Sequence, residues 1–410
     1  MRQRTLGQKI SALRRTRGLS QRDLAAAVKR SESWVSQVER DIQPVERLSV
    51  LKSLAEALEV DVVELRPDAA VATEAEAAPP RPLKHDLEGV RGILSGHPAL
   101  PSLWDESSCQ PASAEEVASC ERAVVHAQQL LHASRYTDLS AILVDLVPRL
   151  ERLVRPAKRA TPALHRMRAQ VYQIASAAFS RQDESDAAWI AADRAMAAAE
   201  MAGEPLEVVA AHFRMTHAFI RLQQYTQAEH IVEGTGAALS ELIEGKESSP
   251  ETLSLAGAIQ LAAAVLYARE GNRTASHAAL DAATAIAERL GADRNDFNTE
   301  FGPTNVLLHR VAVAIDLADA GEALEVASKI KPDALSAERR ARLLIDVARA
   351  HSQCRQFDES LEALLAAEAL ASEQVLTHHH VRAILQELHS ASRGKPSTKL
   401  AELCRRAGVQ

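Results

Sequence analysis

The sequence predicts an all-α protein with a small N-terminal helical domain and a long body of stacked helices. At 410 residues the chain is longer than one ordinary core requires, so at least two cores are expected. It is 46% hydrophobic but only 3% aromatic, and its apolar residues are mostly Ala and Leu, which favour helices, together with Val. We expect a first domain over residues 1–66, a linker or irregular segment over 67–112, and a helical-repeat domain over 113–410.

The first domain is predicted to contain five short helices. Leu6, Ile10 and Leu13 are spaced four and three residues apart, which gives the inner stripe of the first helix, and Gly18 is placed to end it. Ser20 is the expected N-cap of the second helix.

The third helix is expected over residues 32–40, with Ser31 as its N-cap and with Val35 and Val38 facing inward. The inner face of a fourth helix follows, formed by Leu48, Leu51, Leu54, Ala55 and Leu58. Short helices with a brief turn between the second and the third are the build of a helix-turn-helix module.

Charge is distributed unevenly along the chain. Residues 1–40 contain ten Lys and Arg against three Asp and Glu. Residues 1–66 carry a net charge of +4, and the remainder carries −11. A basic head on an acidic body indicates that phosphate groups would be contacted through the head.

The segment over residues 18–41, GLSQRDLAAAVKRSESWVSQVERD, resembles the helix-turn-helix of the phage-repressor and Cro type, called the XRE family in bacteria. Two positions in the turn depart from the family pattern, since Lys29 stands where glycine is usual and Arg30 where a small apolar residue is usual. The segment after Asp41 is longer than usual and is similar to a variant of actinobacterial regulators. The matching frame is Gly18-Leu19-Ser20-Gln21, Leu24-Ala25, Ser31, Val35-Ser36, Val38-Glu39-Arg40 and Leu54-Ala55-Glu56-Ala57-Leu58.

The resemblance implies that the third helix enters the major groove of DNA with its N-terminal turn at the base edges. By position, the base-reading residues are Glu32, Ser33 and Gln37. Glu32 is equally explained as a favourable acid in the first turn of a helix. Trp34 would either cover a phosphate or pack on the fourth helix.

The resemblance also assigns phosphate contacts and one structural pair. Arg14 and Glu39 match the positions at which this family builds an ion pair between the first and third helices. The expected phosphate-contacting residues are Gln21, Lys29, Arg30 and Arg40.

Residues 67–82 contain four prolines and lack helical periodicity, so they are predicted to be a linker. Residues 83–112 are irregular, with one short helical candidate near 86–94. The second domain could begin anywhere between 83 and 113.

From Ser113 onward, helix starts and turns recur. The starts are marked by Ser113, Thr161-Pro162, Ser249-Pro250, Gly302-Pro303 and Ser336, and turns between helices by residues 222–228, 270–275 and 355–360. The pattern resembles degenerate tetratricopeptide repeats, with six or seven helix pairs in a right-handed superhelix. An unrelated helical bundle is the alternative.

Residues 292–303 interrupt these repeats with a polar loop that holds two aromatic residues. If the body senses a ligand, we expect the site in the concave groove, and we expect the ligand to be small and neutral or basic, given the charge of the body. A plain hairpin connection explains the loop equally well. The candidate ligand-binding residues are Phe297, Asn298, Glu300, Phe301 and Asn305.

No motif of a known catalytic class is found, so an enzyme is not expected, and neither is a cofactor. Adjacent histidines at 378–380 would point about 100° apart on a helix, so a shared metal ion is not expected there. The scattered cysteines and the absence of an N-terminal apolar segment favour a cytoplasmic protein.

A helix-turn-helix head with a repeat body resembles the peptide-sensing RRNPP-type regulators of Gram-positive bacteria. This resemblance implies a homodimeric transcription regulator that binds a double-stranded DNA operator and is switched by a peptide or small molecule. The alternative is a DNA-tethered scaffold whose repeats hold a protein partner constitutively.

Overall fold

The computed structural model describes residues 5–28, 30, 32–41, 45, 48–65, 87–97, 100, 113–155, 161–243, 248–331, 335–392 and 395–409. Within these ranges the fold is all-α, as the sequence predicts, with a helix-turn-helix head and a solenoid-like body of stacked helix pairs.

The head consists of five short helices around one apolar core. They are α1 (Leu6–Thr16), α2 (Gln21–Ala27), α3 (Glu32–Glu39), α4 (Leu48–Ala57) and α5 (Val62–Leu65). Their inward side chains are fully buried, among them Ile10, Leu24, Leu51, Leu54 and Leu58.

Local signals in the sequence explain where the first two helices begin and end. Thr5 and Ser20 each cap a helix through a reciprocal box, Thr5 with Gln8 and Ser20 with Asp23. Gly18 follows α1 with a φ of +69°, a left-handed backbone that glycine adopts without steric cost. The expected cap Ser31 lies outside the described residues.

The body begins with α6 (Glu88–Ser95) and continues as six antiparallel helix pairs. The pairs are α7 (Ala114–His132) with α8 (Tyr136–Val154), α9 (Pro162–Arg181) with α10 (Ser185–Ala202), α11 (Pro205–Arg221) with α12 (Tyr225–Ile243), α13 (Pro250–Glu270) with α14 (Arg273–Leu290), α15 (Pro303–Asp316) with α16 (Ala320–Ser328), and α17 (Ala337–Gln353) with α18 (Phe357–Leu370). Three helices complete the body: α19 (Ser372–Thr377), α20 (His379–Ala391) and α21 (Thr398–Ala407).

All six pairs share one turn geometry. The residue two positions before each second helix is left-handed, and the next amide donates to the carbonyl five residues earlier, as Arg135 does to Leu130 and Gln356 to His351. This bonding satisfies carbonyl groups at the end of the first helix. The left-handed residues are Ser134, Asp183, Gln223, Gly271, Ala318 and Arg355.

The expected helix starts are found at the expected residues. The side chains of Ser113, Thr161, Ser249 and Ser336 each accept a hydrogen bond from an amide in the first turn of their helix. The helical candidate near 86–94 is also present, as α6. It packs into the body core through Leu87, Val90 and Leu94.

Polar contacts tie the early pairs to the C-terminal helices, so the body closes on itself. The Ser134 hydroxyl donates to Gln374 at 3.1 Å, and the Tyr136 amide donates to Glu373 at 2.8 Å. The amide of His379 donates to Asp183 at 3.0 Å. These contacts join residues about 200 or more positions apart, between the first two pairs and the helices that follow the sixth.

Among the described residues one helix, α13, is long and apolar enough to cross a membrane by composition, but 78% of its most apolar window is buried within the body. Burial of this kind is typical of a central core helix.

Candidate nucleic-acid interface and internal cavity

Helix α3 presents one open polar face. Val35 and Val38 are buried in the head core, and Trp34 is 5% exposed. These three side chains occupy one side of the helix. At 100° per residue, positions 32, 33, 36, 37 and 40 lie on the other side. Glu32 and Arg40 are exposed, and Gln37 is half-buried. The side chain of Ser33 lies outside the described set, but its helical position falls on this face.

A buried ion pair holds α3 against α1. The Arg14 guanidinium binds both carboxylate oxygens of Glu39, with 2.9 Å between Nη2 and Oε2, and the two side chains are 9% and 5% exposed. The same guanidinium donates to the Leu19 carbonyl at 2.7 Å. Burial opposes ionisation of Glu39, but hydrogen bonds from Arg14 and Gln21 outweigh it and hold its pKa below the ordinary value.

Gln21 belongs to this buried network. Its side-chain amide donates to Glu39 Oε2 at 2.7 Å, which leaves the side chain engaged within the head. The sequence assigns Gln21 to a phosphate, whereas in the structure the amide stabilises the position of α3.

A second junction between α1 and α3 is not foreseen from the sequence. The Gly7 amide donates to Asp41 Oδ1 at 2.9 Å, and the Thr5 hydroxyl donates to Asp41 Oδ2. A Cβ on Gly7 would lie 2.2 Å from the Val38 carbonyl oxygen, so only glycine permits this approach of the helices. The sequence feature that could have predicted this close approach is the glycine in the first turn of an otherwise ordinary helix.

The head also rests on the body, next to the start of α3. Arg30 Nη1 donates to the Leu317 carbonyl at 3.2 Å, and the guanidinium carbon lies 5.7 Å from the centre of the Trp34 ring. Ala318, in the turn of the fifth pair, packs against the head core. Trp34 packs in the head core and also lines the space toward the body. Arg30, expected at a phosphate, faces the body here.

A cavity of about 330 Å³ lies between the head and the body. Arg30, Trp34 and Val50 line it from the head, and Arg349 and His380 line it from the body. The expected phosphate contact Lys29 lies outside the described residues. Arg40 is exposed and donates from Nε to the Ser36 carbonyl at 3.1 Å.

A second cavity, of about 130 Å³, lies inside the body on the first helices of the pairs. Its wall contains more guanidinium groups than carboxylates. The carboxylates are Glu300, Glu338 and Asp346, and the guanidinium groups belong to Arg181, Arg214, Arg221, Arg339 and Arg342.

Two half-buried imidazoles line the same cavity, those of His217 and His309. Burial, with a further contribution from nearby Arg342, lowers the pKa of His309 to about 3 and that of His217 well below its ordinary value. Both rings are therefore neutral near pH 7, and the guanidinium groups dominate the local charge.

Of the five candidate ligand-binding residues, three line this cavity: Asn298, Glu300 and Asn305. Asn298 and Glu300 have φ values of 55° and 51°, and the loop is held by Arg214, which donates to the Asn298 carbonyl at 2.8 Å, and by Arg339, whose Nε lies 3.2 Å from Glu300 Oε2. The polar loop is thus one wall of the cavity.

The two aromatic residues of the loop lie elsewhere. Phe301 is completely buried against α13, where a Cβ on Gly257 would lie 1.9 Å from its ring, so packing explains its position. Phe297 is half-buried and does not line the cavity. The net charge of the body predicts a neutral or basic ligand, but the lining of this cavity does not match that prediction. The net charge of a whole domain does not report the charge of its interior.

The histidines at 378–380 mark the start of α20. His378 accepts from the His380 amide, and His379 Nδ1 lies 2.8 Å from Asp183 Oδ2. Burial raises the pKa of Asp183, but hydrogen bonding and charge from His379, together with Arg221, lower it to about 2.

Comparison with known proteins identifies the head. Residues 5–67 match a family model described as a helix-turn-helix domain. None of the curated proteins matches the chain. Among solved structures, Bacillus thuringiensis PlcR in complex with the peptide PapR7 and DNA is similar at 12% identity, covering 89% of this chain and 98% of PlcR, with a TM-score of 0.36. A mutant of PrgX is similar at 12% identity, covering 97% of this chain and 99% of PrgX, with a TM-score of 0.25.

Proposed function

We propose that this protein is a sequence-specific DNA-binding transcription regulator that works as a homodimer in the cytoplasm. The observation that carries the proposal is the open polar face of α3, in a domain that matches a helix-turn-helix model over residues 5–67. Inserted in a major groove, this face would bring Glu32, Ser33 and Gln37 to base edges, while Arg40 would reach a phosphate.

Gln37→Ala tests base reading, because glutamine can bond an adenine edge with both ends of its amide. We expect Gln37→Ala to weaken binding to a cognate fragment by about 1–3 kcal/mol and to leave binding to random DNA unchanged, as measured by fluorescence anisotropy. Equal losses on both DNAs would show that Gln37 does not read bases.

We further propose that the body controls the head through the contact at Arg30 and Trp34. To contact a phosphate, the Arg30 guanidinium would have to leave the Leu317 carbonyl, so DNA and the body compete for one side chain. A ligand in the body that alters the turn of the fifth pair would shift this competition.

The contact is removed by Arg30→Gln, which takes away the guanidinium that binds the Leu317 carbonyl, and without DNA the variant tests this contact alone. Arg30→Gln should raise the proteolytic accessibility of the turn of the fifth pair, around Leu317 and Ala318. Arg122→Gln, an exposed arginine of α7, is the matched control and should have no effect. Unchanged proteolysis of both variants would contradict the coupling.

The internal cavity is the proposed ligand site of this regulator. Native mass spectrometry of the purified protein distinguishes a ligand-switched regulator from a constitutive protein scaffold. A bound peptide or small molecule supports the first, and a stoichiometric protein partner in place of any small ligand supports the second.

A further inference from the structure

The guanidinium groups of the internal cavity are not all neutralised by carboxylates of the protein. Arg181 pairs with Glu338, with 3.5 Å between Nε and Oε1, and Arg339 pairs with Glu300. Arg221, a third member, binds Asp183, whose Oδ1 lies 2.9 Å from its Nη1.

Asp346, the remaining carboxylate of the lining, is also engaged. It lies 3.2 Å from Nη1 of Arg349, which binds Asp316 as well. Within the described residues none of these carboxylates forms an ion pair or hydrogen bond with the other two arginines, Arg214 and Arg342, although the charge of Arg342, after that of Arg349, opposes the burial that raises the pKa of Asp346.

Arg214 donates from Nη2 to the Asn298 carbonyl, a neutral acceptor, and its Nε is buried without a hydrogen-bond partner. Burial lowers its pKa to about 10, which still leaves the group charged at pH 7. A buried donor without an acceptor costs free energy, and an acceptor that entered the cavity would recover it.

Arg342 differs from Arg214 in being exposed, and it opens onto the cavity. Within the part of the chain that the structure describes, it makes no ion pair or hydrogen bond. Charges of both signs lie near it, since it contributes to lowering the pKa of Arg221 and of His309 and also acts on Asp346. An exposed guanidinium without an ion-pair partner among the described residues can bind an anion that enters the cavity.

We infer that the internal cavity binds an anionic group, a carboxylate or a phosphate, through Arg214 and Arg342. Guanidinium groups suit both acceptors because their N–H groups form charge-assisted, often bidentate hydrogen bonds. Asn305, whose Oδ1 accepts from Arg339, and the neutral imidazole of His309 also line the cavity and would contact the less charged part of the same molecule. The inference gives the ligand class for the sensing body, and in that respect it rests on the proposed function.

The test is a thermal-shift titration of the full-length protein with sodium phosphate and with sodium succinate, each compared with sodium chloride at equal ionic strength. We expect phosphate or succinate to raise the melting temperature well beyond the effect of chloride. The more effective of the two identifies the group, phosphate or carboxylate. Equal effects of all three salts would contradict the inference.

Arg342→Gln removes the charge but keeps a polar side chain of similar reach. We expect the substitution to raise the Kd for the more effective anion at least tenfold, in line with the loss of one charge-assisted hydrogen bond. Arg122→Gln, an exposed arginine of α7, is the matched control and should bind as the unchanged protein does.

The unliganded variant separates a ligand-binding role from a structural one. Because Arg342 is exposed and makes no ion pair or hydrogen bond within the described residues, Arg342→Gln should melt at the same temperature as the unchanged protein. A lower melting temperature, or undiminished anion binding, would overturn the inference. DNA binding, measured separately, tells the two proposals apart: anion binding without DNA binding contradicts only the proposed function, and the reverse contradicts only this inference.

Discussion

Replacing Arg14 with alanine would leave the Glu39 carboxylate in the head without its cationic partner. Both side chains are at least nine-tenths buried, and the pair is bidentate. Removing one member of a buried pair typically costs 3–5 kcal/mol, because the other charge stays out of water. Gln21 still donates to Glu39, so we expect the lower end, about 3 kcal/mol.

The loss should be confined to the head, since Arg14, Glu39 and Gln21 all lie within it. Native-state hydrogen exchange of the full-length protein measures it directly, as the free energy of opening for amides of α1 and α3. Amides in the body provide the internal reference. Arg15→Ala is the matched control, because Arg15 is exposed on the same helix turn, and surface substitutions of this kind usually stay within about 0.5 kcal/mol.

The pairing itself is tested by a double-mutant cycle. Arg14→Ala and Glu39→Ala together should cost about 2 kcal/mol less than the sum of the two single losses, since the second change removes the stranded charge. Additivity within about 0.5 kcal/mol would refute the reasoning.

Three further predictions concern packing and charge. Gly7→Ala should lower the opening free energy of the head by about 1–3 kcal/mol, because its Cβ would meet the Val38 carbonyl at 2.2 Å; unchanged exchange in α1 would contradict that close approach. Phe301→Ala should destabilise the body by about 3–5 kcal/mol in urea unfolding, as for a fully buried aromatic side chain, whereas a stable variant with impaired ligand response would return Phe301 to the ligand site. Glu39 has a lowered pKa in the folded head, so its contribution to stability is present above its unfolded pKa near 4.5 and is lost as the pH falls from there through the lower pKa of the folded head; exchange rates of α3 that stay constant from pH 6 to pH 3, after correction for intrinsic rates, would be inconsistent with this.

The elements that the sequence predicted well are those set by local chemistry. Serine and threonine caps at 113, 161, 249 and 336 define helix starts because their side chains bond amides within the same turn. The Arg14 and Glu39 pair could be anticipated because the family resemblance fixes both positions on helices that pack together.

The elements that escaped prediction depend on the path of the superhelix. Arg181, Arg214 and Arg342 lie on three different helices, and only the stacking of the pairs brings them to one cavity. Net charge concealed them, because the body as a whole is acidic while the wall of this cavity holds five arginines and three carboxylates. Arginines recurring near the ends of successive first helices, as at 181 and 221, were the available signal.

The docking of the head could not be derived either. Arg30 was assigned to DNA by its position in the turn, but its contact is with the Leu317 carbonyl, 287 residues away. Turn chemistry predicts the local backbone and carries no information about a surface so distant in sequence.

The central claim is that the open face of α3 reads a DNA sequence, and a selection of genomic fragments bound by the full-length protein tests it most directly. We predict enrichment of fragments that share one motif in two half-sites, as a dimer requires, and loss of that motif with Gln37→Ala. Fragments enriched without a common motif, or a motif that is unaffected by Gln37→Ala and by substitutions at Glu32 and Ser33, would contradict the account.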